Sequence, residues 1–112
     1  MLELKDRIVE ILHREAVGAE NAVEVRSLAV RAAAPMREVR AMVAELRLEG
    51  VPVASSVRPP YGYFIPATER EASETISQLQ SRIREIAKAA RGIERGLRAA
   101  FPGSQLALRL EE

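Results

Sequence analysis

Cysteine and tryptophan are absent from this chain, and histidine occurs once, as His13. Without cysteine there are no disulfides and no thiolate metal sites, a usage that fits a reducing compartment. One histidine cannot supply the several nitrogen or sulfur ligands that structural zinc needs. No metal and no cofactor are therefore expected. Glycine occurs only six times, and never in the spacing of a P-loop, a dinucleotide-binding turn or a nucleophile elbow. Glu69 and Glu71, a close carboxylate pair, suit a helix N-terminus. The expectation is a protein that is not an enzyme. No apolar run approaches the ~20 residues of a membrane span. The opening residues Met1 to Asp6 lack the basic and apolar regions of a signal peptide. A cytoplasmic protein without membrane attachment is expected. Aromatic residues make up only 4 % against 47 % hydrophobic residues, so any core must be aliphatic.

Charge is nearly balanced over the 112 residues, with 17 basic and 16 acidic side chains and a net charge of +1. The distribution is more informative. Residues 1–66 balance internally, whereas residues 82–98 carry Arg82, Arg84, Lys88, Arg91, Arg95 and Arg98 against Glu85 and Glu94. The basic side chains are overwhelmingly arginine, the better partner for phosphate and guanine.

Periodicity divides the chain into elements. Leu4, Ile8, Ile11 and Leu12 fall at helical spacing and predict a first helix over residues 3–16. Gly18 stops it, and Ala22-Val23 has room for one short strand. A second helix is expected from Glu24 to Ala33, with Val25, Leu28 and Ala29 inward. Pro35 breaks that helix and suits the first turn of another. The third helix then runs to Glu49, burying Val39, Met42 or Val43, and Leu46, with Gly50 as its cap. Past Gly50 the period becomes two. Val51, Val53 and Ser55 alternate with Pro52, Ala54 and Ser56. A Pro/Gly tip at residues 58–62 and a return strand Tyr63-Phe-Ile65 complete a hairpin.

The order helix, turn, helix, Gly, hairpin is that of a winged helix-turn-helix. Val25 to Arg40, then Leu46-Arg-Leu-Glu-Gly50-Val-Pro-Val53, then Gly62-Tyr63-Phe-Ile65, resembles prokaryotic and phage winged helix-turn-helix DNA-binding proteins. The DNA-binding domain of biotin-ligase repressors is especially similar. The resemblance covers residues 3–66. It implies duplex DNA binding, usually as a dimer, with the third helix as recognition helix. By that resemblance Met36, Arg37 and Arg40 face base edges, where arginine can take guanine O6 and N7 and methionine can meet a thymine methyl. Arg47 and the hairpin residues Ser55, Ser56 and Arg58 would meet phosphate or the minor groove. Two positions depart from the family pattern. Ala33 stands at a turn position where Gly suits a positive φ, and Pro35 replaces the usual Ser/Thr cap.

Thr68-Glu-Arg-Glu71 fits a capping box and opens the longest expected helix, roughly 69–100. From Ala72 to Ala100 small or apolar residues recur at alternating steps of four and three. Ile76, Ile83, Ala90 and Leu97 occupy a positions of a heptad; Ala72, Leu79, Ile86, Ile93 and Ala100 occupy d positions. Leaving that stripe in water forfeits on the order of 10 kcal/mol. A helix packed back on its own domain is one cover for it. A 66-residue domain is small for a helix of ~48 Å, which favours a second copy. Pro102-Gly103 ends the helix. In the tail, Leu106, Leu108 and Leu110 alternate as a docking strand or a frayed end would.

The sequence thus predicts a mainly α protein: a winged helix-turn-helix of three helices and a small β-hairpin wing at residues 1–66, a long coiled-coil-like dimerisation helix at 67–101, and a tail at 102–112. The expected function is sequence-specific binding of double-stranded DNA as a dimer or higher homo-oligomer, held through Ile76, Leu79, Ile83, Ile86, Ala90, Ile93 and Leu97. Such a protein would serve as a transcriptional regulator or a phage-type replication or packaging accessory. The alternative is a winged-helix adaptor that binds proteins and not DNA. The balanced charge of residues 1–66 keeps that alternative open, and the basic face of residues 82–98 would suit an acidic protein partner.

Overall fold

A computed structural model describes residues 2–103. The tail residues Leu106, Leu108 and Leu110 lie outside the described residues. The chain is mainly helical. Its elements are α1 (Leu4–Glu15), a 3-10 turn (Ala19–Asn21), α2 (Val25–Ala32), α3 (Met36–Leu48), β1 (Ala54–Ser56), β2 (Gly62–Phe64) and α4 (Glu69–Ala100). It divides into two compact units, one running to Ile76 and one beginning at Ser77. Among the described residues no helix is long and apolar enough to cross a membrane.

The first unit is built on an aliphatic core with one aromatic ring. Ile8, Leu12 and Ala16 meet Leu28, Ala29 and Ala32, then Val39, Val43 and Leu46, with Val53, Ala54, Phe64 and Ile65 from the hairpin region. The helical periodicities anticipate most of this set. At the ambiguous position Val43 is buried and Met42 is only half-buried. Val25, expected inward, is half-buried, and Ala32 is fully buried instead. The reason is that α2 has only eight residues, so its inward stripe is centred on Leu28 and closes at its last turn. Polar ties flank the core. Arg7 Nε donates to the carbonyl of Ala32 at 3.0 Å, Lys5 pairs with Glu49 at 2.9 Å, and Arg31 pairs with Glu15.

Two helices end with the same device. Gly50 takes φ +91° after α3, and the Val51 N–H reaches the Leu46 carbonyl at 2.9 Å. Ala33 takes φ 55° after α2, and the Ala34 N–H reaches the Ala29 carbonyl at 3.0 Å. These bonds satisfy carbonyls that a helix end otherwise leaves orphaned. Ala33 is the one non-glycine residue with positive φ among the described residues. Its Cβ makes that conformation cost about 1–2 kcal/mol.

The hairpin begins later than the alternation from Val51 suggests. Val51 and Val53 form a tight turn, with Val53 N–H on the Val51 carbonyl at 2.9 Å, so β1 starts at Ala54. Antiparallel pairing sets Ala54 opposite Phe64, Ser55 opposite Tyr63 and Ser56 opposite Gly62. The β2 strand is bonded on its other edge too. Tyr63 exchanges both backbone bonds with Val23, each 2.9 Å. Ile65 donates to Ala16 at 2.7 Å and accepts from Gly18 at 2.8 Å. The short strand expected at Ala22-Val23 is thus a single antiparallel bridge at Val23. Gly62 permits the approach: it has φ +137°, and a Cβ there would stand 2.1 Å from the Val23 carbonyl oxygen.

At the start of α4, the Glu71 N–H bonds to Thr68 Oγ1 at 3.2 Å, as a Thr N-cap should. The Glu71 carboxylate reaches past the capping residue. Oε1 accepts from Ala67 N–H at 2.8 Å, and Oε2 accepts from Ala19 N–H at 2.9 Å. These bonds, that to Ala19 first and that to Ala67 next, hold the carboxyl below its ordinary range. Beyond Ser77, α4 runs unbroken through Gly92 and Gly96 to Ala100. None of the described residues of this second unit is buried.

Two outcomes test this account. Gly62→Ala should lower stability by at least about 1–3 kcal/mol from the backbone strain alone, whereas Ala33→Gly should raise it by on the order of 1 kcal/mol, the relief of left-handed strain exceeding the added freedom of the unfolded chain; denaturant midpoints measure both. For Glu71 the folded pKa is depressed, so its contribution is present above the unfolded value near 4.5 and fades as pH falls through the folded value. Wild type should therefore melt above Glu71→Gln at neutral pH, and the gap should close as pH drops below about 4.5.

Candidate functional site

The first turn of α2, the first turn of α3 and the hairpin converge on one open groove of about 560 Å³. Its position follows from the backbone. The Val23–Tyr63 bridge draws the start of α2 against the hairpin, and the left-handed turn at Ala33 redirects the chain into α3. Val39, Val43 and Leu46 anchor α3 in the core, so Arg37 and Arg40 lie exposed. Neither α2 nor α3 has a side-chain cap on its N-terminus.

Of the residues singled out from sequence, Met36, Arg40, Ser55 and Ser56 line this groove together. Met36 is half-buried and packs against the core. Arg37 is exposed on the same helix but does not line the groove. Arg37 and Arg40 carry no ion pair or hydrogen bond among the described residues. Sequence reasoning passed over Arg26, Tyr61 and Tyr63, which also line the groove, as does Glu24. Arg26 likewise has no partner among the described residues. Its signal was its place three residues after Val23 of the candidate strand, which becomes meaningful only once that residue is paired with Tyr63.

Arg47 is placed differently from expectation. Its Nε donates to the Val53 carbonyl at 2.8 Å and its Nη2 to Ser55 Oγ at 2.9 Å. The side chain ties the last turn of α3 to the start of the hairpin. The Ser55 N–H donates to Thr75 Oγ1 at 3.3 Å. Ser55 is thereby held from both sides, and Thr75 is the one buried polar side chain among the described residues. Arg58 sits at the hairpin tip, largely exposed, and pairs with Glu74 at 3.0 Å. It borders a second hollow of about 250 Å³ that also includes Glu20, Glu71 and Glu74. Ser56 Oγ donates to the Arg58 carbonyl and shapes the tip.

The apolar stripe of α4 stands in solvent. Ile76 is 54 % exposed, Ile83 66 %, Ile86 67 % and Ile93 72 %. Ala90 is exposed, and Leu79 and Leu97 are half-buried. On the basic face, Lys88 pairs with Glu85 and Arg98 with Glu94. Arg84, Arg91 and Arg95 have no ion pair among the described residues. No group of three or more His, Cys, Asp or Glu side chains placed to hold a metal occurs among the described residues.

Comparison of the chain with protein-family models, with curated proteins and with solved structures finds no match.

Proposed function

We propose that residues 1–66 form a winged helix-turn-helix that binds double-stranded DNA, with α3 as recognition helix and the β1–β2 hairpin as wing, and that the chain acts as a dimer through α4. The observation that carries this reading is the groove in which Arg40 and Met36 of α3, Arg26 of α2 and the hydroxyls of the hairpin converge while the two arginines have no partner among the described residues. Unpaired guanidinium groups beside uncapped helix N-termini form a site for phosphate, where both the side chains and the backbone N–H groups favour negative charge. Arg37 and Arg40, one turn apart, then reach base edges. Arg26 and Arg58 flank them as phosphate contacts. Arg47 acts by holding the wing. A transcriptional regulator or a phage-type replication or packaging accessory, at work in the cytoplasm, fits such a module; no catalytic role and no cofactor form part of the proposal.

The exposed Ile side chains of α4 support self-association, because a stripe of that kind is unstable in water and marks an interaction surface. The adaptor reading draws on Glu24 in the groove and on the charge balance of residues 1–66.

Duplex binding should weaken steeply with salt, by a slope of about 0.9 per neutralised phosphate; no duplex affinity even at low salt would favour the adaptor. Arg37→Ala or Arg40→Ala should cost about 1–3 kcal/mol on the specific site and relax preference at one base position. Arg26→Ala and Arg58→Ala should weaken all sequences alike and lower the salt slope. Arg47→Ala should lower the melting temperature, a readout that distinguishes a wing-holding residue from a phosphate contact. Ile83→Asp places a charge in the seam, where burial without a partner is costly. It should sediment as a monomer with residues 1–66 still folded. Its DNA affinity should fall, because two joined half-site contacts no longer reinforce each other.

A further inference from the structure

We propose that α4 pairs with α4 of a second copy of this chain, antiparallel and end to end. The inference rests on the self-association reading above and supplies its orientation and register, from three features of one helix.

The first is phase. The helix runs from Glu69 to Ala100, so its midpoint lies between Arg84 and Glu85. Turning a second helix about that midpoint places Ile83 beside Ile86 of the second copy, and Ile76 beside Ile93. Leu79 then lies beside Ala90, and Ala72 beside Leu97. Complete overlap of the two helices and alignment of their apolar stripes from Ala72 to Leu97 are met by the same shift, and Ala100 alone of the stripe lies beside a charged residue, Glu69 of the second copy.

The second is volume. In this register each leucine meets an alanine and each isoleucine meets an isoleucine, so the layers stay even, as close packing requires. A parallel pair in register would stack Ala72 on Ala72 and Ala90 on Ala90, leaving gaps between layers of doubled leucine or isoleucine. It would also put Ile86 and Ile93 at d positions, where leucine favours two parallel strands. The flanks of the seam include Ser73, Ala87, Ala89 and Gly96, and a Cβ on Gly96 would meet nothing within 4 Å. Small flanks let two backbones approach.

The third is charge. Glu69, Glu71 and Glu74 outweigh Arg70 in the first turns of α4, and Lys88, Arg91, Arg95 and Arg98 outweigh Glu85 and Glu94 in its second half. A parallel pair sets the basic half alongside itself. The antiparallel pair sets it alongside the acidic beginning of the second copy. Glu71 and Glu74 already have partners, so this preference acts through the field of the helix ends and should weaken with salt.

The absence of cysteine makes a disulfide test direct. Full-length Leu79→Cys and Ala90→Cys chains, mixed and oxidised, should form a disulfide dimer joining the two variants. Neither variant alone should form one, because like positions lie eleven residues apart along the pair, ~16 Å by helical rise and beyond the roughly 4–7 Å between bridged Cα atoms. Same-site dimers of Leu79→Cys would overturn the orientation while leaving self-association standing. A disulfide between Leu79→Cys and Leu97→Cys, and none between Leu79→Cys and Ala90→Cys, would overturn the register. Wild-type chain that sediments as a monomer well above micromolar concentration would overturn the self-association reading itself. An independent readout leaves the seam untouched: a spin label on Ala99→Cys should report a separation of about 40 Å or more across the antiparallel pair. A separation of about 20 Å or less would mean parallel helices and overturn the proposal.

Discussion

The first unit depends on β2 being hydrogen-bonded along both edges. One edge pairs with β1, and the other meets Val23 and the Ala16–Gly18 segment. A lone two-stranded hairpin is marginal in water. Here the hairpin becomes part of the core because its return strand is stitched to the exit of α1 and to the entry of α2. The close approach at Val23 leaves no space for a side chain at position 62, which is why glycine stands there. The bridge thereby holds the start of α2 against the hairpin at the groove, adding to the core that α2 and the hairpin share.

The helices were legible in the sequence wherever a buried stripe recurs. Ile8 and Leu12, then Leu28 and Ala29, then Val39, Val43 and Leu46 declare their faces by spacing alone. Gly50 and Thr68 declare helix ends by chemistry. The left-handed turn at Ala33 was marked by the resemblance and not by the residue, because alanine carries no signal for positive φ. The delayed start of β1 was hidden because Val51 and Val53 fit a strand by alternation while their carbonyls and N–H groups close a turn. Burial of Thr75 was also hidden: its partner is the Ser55 N–H, a backbone group with no trace in side-chain pattern.

The arginines show the same division. Arg37 and Arg40 follow from the buried face of α3, since residues opposite a core stripe must be exposed. Arg47 lies on the same helix and differs only in reach; it finds the Val53 carbonyl and Ser55 Oγ within its own neighbourhood. The chain leaving α3 turns back past its last turn, so an arginine there meets the acceptors of that segment, as those in the first turns do not. Arg26 joins the groove through a strand bridge that joins residues far apart in sequence. In α4, by contrast, one periodic stripe accounts for the whole element, and Ile83, Ile86 and Ile93 stand exposed along it.

The central claim is that the groove between α2, α3 and the hairpin receives duplex DNA. It is tested most directly by following the backbone amide resonances of the full chain while short duplex DNA is added at low salt. The account predicts shifts concentrated at residues 25–26, 36–40 and 55–62, with the core amides of α1 and the seam of α4 little changed. Shifts confined to residues 82–98, or none at all, would contradict it.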